Sequence, residues 1–106
     1  MAVKQVNLKI PKRLQPILWS MDVDKLDIHR DKDYIIHQIF SYGRMEDILW
    51  LFHTYPKEIL KHVFTTVPYK DYLAARFYFV KNYLLGLKRV FLNEQRYVKN
   101  TPRDLG

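Results

Sequence analysis

Between Ile10 and Tyr55 apolar and aromatic residues recur at intervals of three and four, the period of one helix face, and residues that start or stop helices separate the groups. Leu14 to Trp19 predicts a short first helix with Trp19 plugged into the core. Asp31 offers a capping side chain ahead of Ile35, Ile36, Ile39 and Phe40, and Gly43 closes that helix. Met45, Ile48, Leu49 and Phe52 form the next stripe, with Glu46 and Asp47 in its first turn, where carboxylates favour the helix dipole. Pro56 stops that stripe and can open the following helix, whose inner face carries Ile59, Leu60, Val63, Phe64 and Val67. Beyond Pro68 the pattern predicts a long helix from Tyr69 to Leu85, ending at Gly86 or continuing through Val90 and Phe91.

No segment alternates as strands do between glycine turns, so the predicted class is all-α: a compact bundle of four to five short helices with a long C-terminal helix and helix-turn-helix-like pairs. Residues 1–10 alternate loosely up to Pro11 and are expected to form an extended arm. Residues 11–93 then make a single helical domain, and 94–106 a polar, basic tail.

The long helix is wider in its apolar arc than one core stripe requires. Tyr69, Leu73, Phe77, Val80 and Leu84 fall on one face at 100° per residue, with Tyr72, Phe79 and Tyr83 beside them and Arg76 between the two rows. One explanation is a central helix buried on two sides, with Arg76 paired to an acid between Asp22 and Asp33. The other is a contact surface for a second chain, because Tyr and Arg are enriched at binding hot spots. Trp50 lies off its own helix's stripe and joins Tyr72, Arg76, Phe79 and Tyr83 as a candidate partner-binding residue.

Composition narrows the chemistry. With 106 residues, 48% hydrophobic and 15% aromatic, the chain has enough apolar material for one core. It has no cysteine, which removes disulfides and thiolate chemistry and fits a cytoplasmic setting. No apolar run is long enough for a signal peptide or a membrane span, so a soluble protein is expected. His29, His37, His53 and His62 have no metal-ligand spacing, and Asp22 to Asp33 lacks the central glycine and final glutamate of a calcium loop. No organised nucleophile, acid–base pair or phosphate-cradling glycine loop is present, so neither an enzyme nor a cofactor is expected.

The net charge of +7 is concentrated at the ends. Lys4, Lys9, Lys12 and Arg13 precede any acid, and from Arg76 onward seven basic residues face only Glu94 and Asp104. Cationic ends suit an acidic protein or nucleic acid. Of the two helix pairs, the one turning at Gly43 places Glu46, Asp47, Trp50 and His53 on its second helix, which phosphates would repel. The pair turning at Pro56 presents Lys57, Lys61, His62, Thr65 and Thr66; with Lys88 and Arg89 these are the candidate nucleic-acid contacts to duplex DNA.

Taken as a string, Ile10-Pro11-Lys12-Arg13-Leu14, Pro16, Trp19, Asp22, Leu26-Asp27, Lys32-Asp33-Tyr34-Ile35-Ile36, Tyr42-Gly43, Trp50-Leu51 and Tyr55 resemble a prokaryotic family of small helical proteins of uncharacterised function. Its members look like the antitoxin-side partners encoded beside nucleotidyltransferase-type toxins of abortive-infection systems. The resemblance spans about residues 10–67 and implies a non-enzymatic, neutralising or regulatory protein-binding role, with no catalytic or ligand residues to carry over. This chain departs from the family at Ser20, where relatives carry an aspartate, and at Thr65-Thr66-Val67-Pro68, where they carry an arginine- and serine-rich turn. A protein-binding antitoxin-like module is thus the leading expectation, with a helix-turn-helix-like DNA regulator as the alternative and a homodimer compatible with either.

Overall fold

The centre of the molecule is helix α1, Lys32–Tyr42, in which every residue from Ile35 to Ser41 is buried. A computed structural model describes residues 10–99 of the chain. Around α1 pack α2 (Met45–Thr54), α3 (Lys57–Thr66) and α4 (Ala74–Tyr78), the last continuing as a π-helix over Phe79–Leu84. Short 3₁₀ turns lie at Lys12–Leu14, Val23–Lys25 and Glu94–Arg96. The class is all-α, as the periodicity predicts.

A helix buried on all sides must find partners for its own polar side chains, because an unpaired buried polar group costs on the order of 1–3 kcal/mol. His37 and Gln38 meet that requirement. Gln38 donates to the Ile17 carbonyl at 3.0 Å and accepts from the Tyr69 hydroxyl at 2.6 Å. His37 lies 2.6 Å from the Val67 carbonyl and 2.8 Å from the Tyr72 hydroxyl. A carbonyl can only accept, so Nε2 carries the proton and Nδ1 receives the Tyr72 O–H. Burial lowers the His37 pKa to about 4, keeping the ring neutral, and the ring stacks on Tyr69 at 5.1 Å between centroids.

Between α1, α3 and α4 sits an aromatic knot. Phe64 meets Phe40, Tyr72, Phe77 and Tyr97 at centroid distances of 6.2, 5.8, 5.8 and 5.3 Å. The Phe40 and Tyr72 contacts are edge-on, an arrangement the ring quadrupoles favour. Of the aromatic residues beside the main stripe, Tyr72 is consumed here, whereas Phe79 and Tyr83 are not.

Loop geometry follows from local chemistry. Gly43 is required by close approach: a Cβ there would lie 2.7 Å from the Ile39 carbonyl oxygen. Asp47, buried in the first turn of α2, accepts the Arg44 N–H at 2.9 Å and forms an ion pair with Arg13. The aspartates between 22 and 31 act as turn carboxylates. Asp22 caps the 3₁₀ turn at Asp24 N–H, and Asp27 accepts from the amides of Arg30 and His29, bonds that lower its pKa.

Several expectations need correction. Asp31 does not cap α1 with its side chain, which accepts instead from Arg30 and the Asp27 amide. Trp19 is not a core plug; it is 56% exposed and rests edge-on against Tyr42, while Leu18 takes the inward position. Asp47 does not belong to an exposed acidic face. The long C-terminal helix begins at Ala74 rather than Tyr69, because the Tyr72 amide and carbonyl are taken by Tyr97 and Lys99 in a parallel bridge, at 2.9 and 3.0 Å. For the same reason the stretch from 94 does not begin as a free tail. Tyr97 and Val98 are buried, and the Tyr97 hydroxyl donates to the Phe64 carbonyl at 2.6 Å. The expected arm lies outside the described residues except for Ile10, which is buried.

Candidate functional site

The π-helix turns the chain so that Val80 and Lys81 face inward while Tyr83 faces solvent, 70% exposed. Its wider winding ends with the Leu85 N–H bonded to the Val80 carbonyl, and π-turns inside helices recur at functional sites. Gly86, at φ 65°, then reverses the chain in a conformation that side-chain-bearing residues rarely adopt. The loop after it runs back across Lys81 and Tyr78, enclosing an open groove of about 840 Å³.

Lys81, Lys88 and Arg89 line this groove together with Tyr78, Val90, Phe91 and Glu94. Phe91 is 87% exposed, more than any other large apolar residue described. Lys88 places its ammonium 5.4 Å from the Tyr83 ring centroid, a cation–π contact, and the Phe79 ring lies 6.3 Å from that of Tyr83. Glu94, the one acid of the wall among the described residues, accepts a hydrogen bond from the Tyr78 hydroxyl, which raises the tyrosine's pKa.

The sequence-derived candidates therefore separate. Phe79, Tyr83, Lys88 and Arg89, drawn from two different lists, come together at this end of the molecule. Tyr72 does not join them: it is fully buried, bonded to His37, and its position in the bridge removes it from the helical stripe. Arg76 is half-buried and donates to the Phe40 and Gly43 carbonyls at 2.7 and 3.1 Å, capping the C-terminus of α1 instead of pairing with an acid. Trp50 is half-buried against the core on α2. On α3 Lys57 and His62 are exposed and Lys61 half-buried, but Thr65 and Thr66 donate their hydroxyls back to the Lys61 and His62 carbonyls at 2.9 and 2.6 Å.

Phe91, Tyr78 and Lys81 were missed as site residues. For Phe91 the signal was present: a basic pair followed by Val90-Phe91, two residues after Gly86, marks an exposed apolar tip. For Lys81, which is 8% exposed, nothing in the spacing distinguishes it from a surface lysine.

Among the described residues no three His, Asp or Glu side chains are grouped to hold a metal, and no helix is long and apolar enough to cross a membrane. The class these features define is a small all-α domain with a rigid aromatic core and an exposed aromatic and basic end. Residues 14–64 match the model of a family of unknown function, DUF6922. No curated protein and no solved structure matches the chain. The matched span runs from the first turn through most of α3 and stops before the groove.

Proposed function

We propose that the protein is a non-enzymatic binding module whose aromatic and basic end docks an acidic partner protein. The observation that carries this is the juxtaposition of exposed Tyr83 and Phe91 with Lys88 and Arg89. Rigid rings supply contact area at low entropic cost, and neighbouring cations set orientation and encounter rate. The role is antitoxin-like: the partner is a nucleotidyltransferase-type toxin, in keeping with the resemblance over residues 10–67.

The test is co-expression with a toxin of that type from the same host. Wild-type chain restores growth and co-purifies with the toxin in fixed stoichiometry, and the double variant Tyr83→Ser/Phe91→Ser does neither. Growth arrest unrelieved by the wild-type chain, or relieved equally by the variant, contradicts the proposal.

Duplex DNA binding is the second reading, favoured by the exposed side chains of Lys57 and His62 on α3, a helix that follows a short turn. Gel shifts at rising salt test it, since phosphate neutralisation gives a steep loss of affinity with salt. Shifts without that slope, or unchanged in Lys57→Ala/His62→Ala, count against it.

A further inference from the structure

Lys81 is the strongest unexplained group in the molecule. It is 92% buried by the complement of its 8% exposure, and its ammonium has no carboxylate within ion-pair distance among the described residues. Its contacts are two neutral oxygens, Asn82 Oδ1 and the Lys88 carbonyl, both at the long distance of 3.4 Å. Buried cations are ordinarily paired, because leaving the charge unsatisfied is costly. This one lines an open groove whose wall carries two further cations, Lys88 and Arg89, and one acid, Glu94, already engaged by Tyr78.

We infer that this groove is a binding site for a phosphate-bearing ligand, with Lys81 as its fixed cation and Lys88 and Arg89 closing over the anion from the returning loop. Three cations against one carboxylate leave a surplus matched to a phosphate monoester, which carries about −1.5 to −2 at neutral pH, better than to a single carboxylate. Arg89 supplies a planar fork that can hold two phosphate oxygens, and Lys81 a point charge. Phe91 and Tyr78, on the same wall, give a planar group attached to the phosphate a ring to stack on, which favours a nucleoside phosphate. The site shares Lys88, Arg89 and Phe91 with the proposed docking surface, but it needs neither Tyr83 nor a second protein, so its titration can fail or succeed separately from partner retention.

The experiment is calorimetric titration of the full chain with inorganic phosphate, adenosine monophosphate, adenosine, and an oligothymidylate with and without a 5′-phosphate. Saturable binding of phosphate-bearing probes, with adenosine at least tenfold weaker, is the expected result. Tighter binding of the monophosphate than of phosphate assigns the site to free nucleotides, and preference for the 5′-phosphorylated oligomer assigns it to strand ends; equal binding of phosphate alone assigns it to the free anion. Lys81→Met, which removes a buried charge without shortening the side chain, weakens binding at least tenfold, and the surface variant Lys88→Ala weakens it about threefold. Absence of saturable binding by every phosphate-bearing probe, or binding unaffected by both Lys81→Met and Lys88→Ala, overturns the inference.

Discussion

Helix α1 and the segment from Phe79 to Gln95 treat polar and aromatic residues in opposite ways. In α1 the buried His37 and Gln38 are matched on both sides by neutral partners, and the surrounding rings of Tyr69, Tyr72 and Phe64 are turned inward. In the C-terminal segment Tyr83 and Phe91 stand in solvent, and Lys81 is buried with no acid in ion-pair distance among the described residues. The first arrangement closes the molecule on itself. Apart from the Ser41 hydroxyl of α1, which is buried without a partner, the unmet apolar surface and charge fall at the second end, and that contrast motivates the binding role proposed for it. The family match falls on the closed region, residues 14–64, and not on the open one.

The comparison breaks most severely if its closed half can be hollowed out at little cost. Phe64→Ala removes the ring at the centre of the knot and is expected to destabilise the fold by about 3–5 kcal/mol in urea unfolding. A loss under about 1 kcal/mol would mean that the knot is not the core.

Acid probes the same region through His37. Its folded pKa, about 4, lies below the unfolded value of 6.5, so between these the unfolded chain binds the extra proton. The stabilising effect of the neutral ring is complete above pH 6.5, falls as pH drops through that window, and levels below about 4, a total of roughly 3 kcal/mol. Urea unfolding across that window, with NMR of the imidazole showing a neutral ring protonated at Nε2 until about pH 4, checks both sign and range.

Arg76 joins the halves, since it leaves α4 and caps α1. Arg76→Met strips a charged donor from the Phe40 and Gly43 carbonyls and is expected to cost roughly 2 kcal/mol, measured as a shift in the urea midpoint at unchanged slope. The smallest effect belongs to the open end: Tyr83→Ser and Phe91→Ser each change stability by less than about 0.5 kcal/mol, because neither side chain is part of the core.

What the chain reveals before folding depends on how local the cause is. The ends of α1, α2 and α3 are marked by Gly43 and Pro56 within a residue or two of where they fall, and the inward positions Ile35, Ile36, Ile39, Phe40, Ile48, Leu60, Val63 and Phe64 follow from helical spacing. Non-local events escape that logic. The Tyr72 to Val98 bridge joins residues far apart in sequence, so it delays the start of α4, buries Tyr97 and Val98, and takes Tyr72 from the surface list into the core. Trp19 and Leu18 are adjacent and both apolar, and which one turns inward is set by the irregular turns that follow the 3₁₀ turn at Lys12–Leu14 rather than by period. Of the site, Tyr83, Lys88 and Arg89 are visible as residue types, whereas the groove is not, because the π-turn and the reversal at Gly86 create it.

The division between a self-contained core and a proposed binding end is tested most directly by the double variant Tyr83→Ser/Phe91→Ser, measured side by side for thermal unfolding and for retention of a co-expressed partner. The account predicts a midpoint within about 3 °C of wild type and loss of the partner from the purified complex. A partner retained at wild-type stoichiometry, or a midpoint that collapses with the two substitutions, would contradict it.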